Sequence, residues 1–286
     1  MKIRKIAQIL KAMEVTEGAG VSVHRTIGTP ALKNLDPFLL LDHFSSNDPD
    51  DYIAGFPDHP HRGFITLTYM LDGHMLHQDS MGNKGDLRAG GAQWMKAASG
   101  VIHSEMPQQS EGLMRGFQLW INLPAANKMS SPEYQEYSPL AIPVVESPTM
   151  QVKIICGDYA NKKGLITDPI TQVQYLDVQL KNDQLFTHSL DDRFNCFIYL
   201  FEGDAEYADR YLPEHTLLVL GEGDTVSLRP VKNTCRFILV GGLPIGEPVV
   251  QYGPFVMNSK EEIEQALSDY RNGRLVIDKA AFRTDG

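Results

Sequence analysis

Short apolar or alternating runs separated by turn residues recur along most of the chain, the punctuation of an all-β protein. Val21–Ile27 reads as a strand, and Phe38–Phe44 as a buried apolar run. Ile65–Leu71 is a strand that ends at Asp72-Gly73, a hairpin signal. Another begins near Met75, and Asp79–Asn83 carries turn chemistry. Gln93–Ala98 leads through Ser99-Gly100 into a further strand, and Gly116–Leu123 alternates cleanly. Residues 124–148, rich in Pro, Ser, Tyr and Glu, read as a linker, after which strands resume at Gln151–Ile155 and Tyr175–Leu180. The convincing helix lies near the end. Ser259 is its N-cap and Glu262 completes a capping box. Ile263, Ala266, Leu267 and Tyr270 share one face, and Gly273 stops it. Such a helix is expected to cover an open sheet.

The pattern repeats. Thr68–Gly73 resembles Ile198–Gly203 at an offset of 130 (199 − 69). The same offset brings Asp79 to Asp209, Leu87 to Leu217 and Gly91 to Gly221. It predicts two copies of one β-fold, over residues 1–134 and 145–286, the second carrying the helix over 260–272. His59 then matches Ser189, His61 matches Asp191, His103 matches Asn233 and Glu105 matches Cys235. The chemistry belongs to the first copy.

A length of 286 residues suits two ordinary domains, and 42% hydrophobic with 22% charged residues is soluble globular composition. A formal net charge of −10 argues against direct nucleic-acid binding, and no apolar run reaches membrane-spanning length. The basic N-terminal stretch has no uninterrupted apolar core and is not read as a signal peptide. Cys156, Cys196 and Cys235, widely spaced and odd in number, imply no disulfide framework, so a reducing cytoplasm is expected.

The organising stretch is Gly55-Phe56-Pro57-Asp58-His59-Pro60-His61-Arg62-Gly63-Phe64. On a strand, residues two apart face the same way, so His59 and His61 point together. Pro60 donates no backbone hydrogen bond and suits an edge strand or a bulge. Gly100-Val101-Ile102-His103-Ser104-Glu105 repeats the alternation with a carboxylate in second place. Three imidazoles and a carboxylate suit Fe(II), Mn(II), Ni(II), Cu(II) or Zn(II). On an octahedral ion they leave positions for a chelating substrate or dioxygen, whereas a tetrahedral zinc would be closed and structural. Glu105 could serve as ligand only, or also accept a proton as general base. Phe56, Phe64, Met70, Trp94 and Met95 are candidates for an aromatic-binding mouth or for plain core. His74 and His77 follow a turn and are expected in solvent. Asp48-Pro49-Asp50-Asp51 reads as a solvated loop and Gly221-Glu222-Gly223-Asp224 as a turn.

These segments resemble the pirin family, as do Gln93-Trp94-Met95, Gln118–Leu123, Leu220–Asp224 and Tyr252–Asn258. The resemblance spans nearly the whole chain. It implies a bicupin: two β-barrel domains of the double-stranded β-helix (jelly-roll) type, with a short C-terminal helix. It implies one divalent metal, iron first, with manganese, nickel, copper, cobalt or zinc left open, held by His59, His61, His103 and Glu105. Two functions follow. One is a quercetin 2,3-dioxygenase that opens a flavonol ring with O2 and releases carbon monoxide, with Glu105 catalytic. The other is a metal-binding regulatory protein that acts through a protein partner, as a transcription cofactor (nuclear in an animal) or on a metabolic enzyme. Ile65 stands where the family usually has Glu, and this loss of an acidic group is expected to alter substrate preference.

Overall fold

The computed structural model describes residues 1–284. Two compact units divide the chain, and neither is contiguous. The site-bearing unit joins residues 13–141 to the segment from Ile245 onward, and the second unit joins residues 1–12 to residues 142–244. Division of the chain between residues 134 and 145 therefore misses both ends. Ile6–Lys11 pairs antiparallel with Thr216–Leu220, which ties the first residues to the second unit. The segment after Pro244 returns to the first, where the amides of Ile245 and Gly246 donate to Asp36 at 3.0 and 2.7 Å.

The strands of the site-bearing unit are β1 (Met13–Glu17), β2 (Val21–Ile27), β3 (Phe38–Ser46), β4 (Phe56–His61), β5 (Phe64–Asp72), β6 (His74–Asp79), β7 (Lys84–Arg88), β8 (Ala92–Lys96), β9 (Val101–Pro107), β10 (Met114–Asn122), β11 (Glu133–Tyr137), β12 (Val250–Tyr252), β13 (Phe255–Met257) and β14 (Ala281–Thr284). Its helices are α1 (Ala125–Lys128) and α2 (Lys260–Arg271). An eight-stranded sheet runs β1-β2-β3-β10-β5-β8-β11-β14, and a four-stranded sheet runs β4-β9-β6-β7. α1 and β11 fall within the expected linker. β11 is a strand because it pairs with β8 and fully buries Tyr134. The acidic run at 48–51 closes into a single 3-10 turn, capped by Asp48 accepting from the Asp50 amide.

α2 forms as its sequence dictates. The Glu262 amide donates to Ser259 Oγ at 3.2 Å, and the Ser259 amide donates to Glu262 Oε2 at 2.9 Å. Ile263 and Ala266 are buried. Arg62, directly after β4, is buried and donates to Ser99 O (2.6 Å), Leu275 O (3.2 Å) and Asp269 Oδ2 on α2 (2.8 Å). At Gly63 the backbone takes φ +91°, and a Cβ would collide with the Val256 carbonyl oxygen, so glycine alone fits between β4 and β5. Lys128 is buried and places its three ammonium protons on Gly63 O, Asn122 Oδ1 and Val256 O, at 2.7, 2.7 and 2.9 Å.

The second unit repeats the plan. Its seven-stranded sheet runs Ile6–Lys11, Thr216–Leu220, Asn195–Glu202, Thr234–Gly242, Gln174–Lys181, Met150–Cys156, Val144–Ser147. Its four-stranded sheet runs Phe186–Ser189, Thr225–Pro230, Ala205–Tyr207, Arg210–Leu212. Both units are thus two layers of the jelly-roll kind, their strands antiparallel except where β11 and β14 pair in parallel. The 130 offset matches β5 to Asn195–Glu202 but fails beyond. β9 begins at Val101 and its counterpart at Thr225, a difference of 124 (225 − 101). The hairpin Ala205–Leu212 is shorter than β6–β7, and the register slips there. Leu217 and Gly221 are therefore not the partners of Leu87 and Gly91. Asn233 and Cys235 are not those of His103 and Glu105, since Cys235 lies on the counterpart of β10.

Candidate metal centre

β4 is an edge strand, which accommodates both of its prolines. Its register against β9 sets His61 opposite Val101 and His59 opposite His103, then shifts so that Glu105 meets Phe56. Alternation buries Val101, His103 and Glu105 on the inner face of β9. One ring nitrogen from each of His59, His61 and His103 lies within 4.8 Å of the others. Glu105 stands outside that cluster of rings but lines the same cavity as His59 and His61.

The three rings are set up as ligands. His59 Nδ1 donates to the Pro57 carbonyl at 2.8 Å, which leaves Nε2 with a lone pair. His103 Nδ1 meets His77 Nδ1 at 3.2 Å, and its Nε2 is buried without a hydrogen-bond partner. Both nitrogens of His61 are likewise buried and unpartnered. Burial pushes His59 below the usual imidazole pKa and His61 and His103 well below it, neighbouring rings adding to the effect on the latter two. Neutral rings with free lone pairs are the metal-binding form. Burial pushes the Glu105 carboxyl up to about 7, opposed only by the Thr68 hydroxyl at 3.2 Å. A buried carboxylate without a countercharge is costly, and a cation at the rings would supply one. The donor set therefore fits a divalent ion.

His77 is the residue the sequence reading misplaced. Far from solvated, it is 2% exposed, with Nε2 3.3 Å from the Tyr134 hydroxyl, and burial lowers its pKa to about 4. It fixes the His103 ring from behind. The signal was its spacing of two from buried Met75 on β6. His74, by contrast, is half-buried on the outer edge against Asp86.

A cavity of about 510 Å³ opens beside the rings. It reaches the surface at Pro57, Asp58, Gln251 and Gly253. Of the expected mouth residues only Phe56 lines it. Phe64, Met70, Trp94 and Met95 are buried elsewhere, and Leu40, Phe44, Met75 and Trp120 take their place. Ile65 is buried on the face of β5 opposite Thr68, three residues away, so its departure from the family pattern does not reach the cavity.

The rest of the wall is polar and in register. Arg25 pairs with Asp42 across β2–β3, Asp42 with Gln118 across β3–β10, and Gln118 with Thr68 across β10–β5. Arg25 grips Asp42 through Nε–Oδ1 at 2.7 Å and Nη2–Oδ2 at 2.6 Å, and Nη2 also reaches Glu17 at 2.7 Å. Burial holds Asp42 up at about 6 despite that guanidinium. Thr68 Oγ1 touches both Glu105 and the Gln118 amide. On its other side that hydroxyl faces Gln118 Oε1.

The comparisons agree with this architecture. The Pirin family model matches residues 20–121, and the Pirin C-terminal cupin domain matches residues 175–276. A Pseudomonas aeruginosa protein named "Putative quercetin 2,3-dioxygenase" is 45% identical, covering 96% of this chain and 99% of its own. A pirin-like protein of Caulobacter vibrioides is 44% identical, over 96% and 100%. The crystal structure of quercetin 2,3-dioxygenase from Acinetobacter baumannii superposes with a TM-score of 0.89 at 31% identity, covering 96% of this chain and all of that one. Two jelly-roll units, a three-histidine cluster in one of them and these matches over nearly its whole length place the chain in the pirin family of bicupins.

Proposed function

We propose that the protein is a mononuclear, metal-dependent quercetin 2,3-dioxygenase. His59, His61, His103 and Glu105 hold the ion, Fe(II) in the first instance. The observation that carries this reading is the cavity of about 510 Å³ beside the histidine cluster, open at Asp58 and Gly253 and walled by flat apolar side chains. It is of the size that takes a small aromatic ligand. A closed structural ion would have no use for it. The relatives named above support the same reading.

When bound, the ion would supply Lewis-acid polarisation of a chelating hydroxyl and a site for dioxygen. The chain supplies the rest. The Glu105 carboxylate takes the proton of the substrate hydroxyl. Thr68 holds that carboxylate at 3.2 Å. Phe44, Leu40 and Trp120 offer faces to the rings of a planar substrate and exclude water from it.

The test is anaerobic reconstitution with iron, followed by oxygen uptake, carbon monoxide release and loss of flavonol absorbance with quercetin. Turnover is expected in the loaded protein. It should be lost in His61→Ala together with the ion, and fall by at least about 100-fold in Glu105→Gln. A fully loaded protein that turns over no flavonol with iron, manganese, nickel or copper would refute the reading in favour of a metal-dependent interaction protein.

A further inference from the structure

The polar row on the cavity wall has no part in holding the ion. Thr68 touches Glu105, and Gln118, Asp42 and Arg25 follow on successive strands. Strands lie about 4.8 Å apart, so Asp42 is about 10 Å from Thr68 across the sheet. A planar ligand chelated beside Glu105 lays its far end over this row. Leu40 and Trp120 flank the row on one side and Val23 and Phe44 on the other, all lining the cavity. The ligand therefore slides between apolar side chains while its far edge meets polar ones.

The charge of the wall decides what it accepts. Glu17, Asp42, Asp58 and Glu105 line the cavity with Arg25 as the lone lysine or arginine among the lining residues. A ligand carboxylate at the far end would be repelled even with a divalent ion in place. Arg25 is engaged by Asp42 and Glu17 and is not free to offset it. Asp42 has acceptor lone pairs beyond the two that Arg25 uses. Gln118, its Oε1 on Thr68, keeps its –NH2 for the row. A phenolic hydroxyl, donor and acceptor at once, matches an acceptor carboxylate beside a donor amide.

We propose that Asp42, held by Arg25, and Gln118 form a subsite that reads hydroxyl groups on the ring of the substrate remote from the metal. This rests on the flavonol reading and names what that reading leaves open, the hydroxylation pattern the protein prefers. A phenolic hydroxyl there donates to Asp42 Oδ and accepts from Gln118 Nε2. An unsubstituted ring leaves both groups desolvated and unpaired, and a carboxylate meets the like charge of Asp42.

The experiment is equilibrium binding to the metal-loaded protein under anaerobic conditions, followed by the shift in flavonol absorbance. The probes are quercetin, the flavonol lacking the two hydroxyls of its pendant ring, and a flavonol carrying a carboxylate on that ring. Wild type is expected to bind quercetin about tenfold tighter than the unsubstituted compound, and the carboxylate no better than the unsubstituted one. Asp42→Asn, and the neutral pair Arg25→Gln/Asp42→Asn should the single variant fold poorly, are expected to bring the first ratio close to one at unchanged metal content. A quercetin preference that survives both variants, or equal loss for both ligands, would overturn the subsite. Binding of the expected pattern without turnover leaves the subsite standing and removes the dioxygenase. No binding of either flavonol to loaded wild type removes both.

Discussion

The two units put opposite materials at the same place in the same fold. In the second unit Ile154, Leu176, Leu239, Ile198 and Leu218 run in register across five strands, and all are buried. In the site-bearing unit the matching row is Arg25, Asp42, Gln118, Thr68 and Gln93. Thr68 and Ile198 stand at the 130 offset (198 − 68), so the rows correspond strand by strand. Each fully buried aliphatic contributes about 1.5–3 kcal/mol, which the site-bearing unit forgoes along this line. It replaces that with paired charges and hydrogen bonds, which roughly break even. What results is a wall instead of a filled core. A jelly roll becomes a chamber when one cross-strand row is made polar and every member of it is given a partner.

Three changes would break or sharpen this contrast. The largest effect is expected from Leu239→Gln in the second unit. An amide dropped into the apolar row finds no partner and leaves a misfit, and should cost about 4 kcal/mol in chemical denaturation. A loss under about 1 kcal/mol would mean that the second interior already tolerates polarity. Next is Asp42→Leu, which takes the buried partner from the Arg25 guanidinium, leaves it only the more exposed Glu17, and should cost about 2 kcal/mol. Arg25→Met/Asp42→Leu should recover most of that loss, since the pair as a whole stabilises little. If the double variant is as unstable as the single, the row is held by something other than mutual pairing.

The smallest effect is a pH dependence in metal-free protein. Glu105 is raised to about 7 in the folded state. Between its unfolded value near 4.5 and about 7, the folded protein keeps a proton that the unfolded chain has lost. Its contribution to stability therefore falls as pH rises through that window. The depressed histidines act in the opposite sense below 6.5, so the difference between wild type and Glu105→Gln isolates it. That difference should slope by on the order of 1–3 kcal/mol without metal and flatten once the ion supplies the opposing charge. An unchanged slope on loading would separate Glu105 from the ion.

Much of this was legible before the structure. His59, His61 and His103 are local alternations that a strand must turn to one face, and Ser259 with Glu262 is a local cap. The polar row was not legible. Asp42 hides in Phe38–Phe44 as one charged residue in an apolar run, and Gln118 sits among Phe117, Leu119 and Trp120. Only the register between strands shows that they are neighbours. His77 was lost for the same reason: its partners, His103 and Tyr134, lie on other strands. The exchange of chain ends between units depends on long-range pairing, to which local patterning is blind. The repeat offset failed where one hairpin is shorter.

The clamp on Arg62 has a consequence for how the protein is made. The strand bearing His59 and His61 ends at a guanidinium fastened to Asp269, 207 residues further along the chain. Gln251 and Pro254 wall the cavity from that same distant segment. A ribosome delivers the histidines long before it delivers the residues that brace them. The pocket is therefore walled in full only after the second unit has been translated.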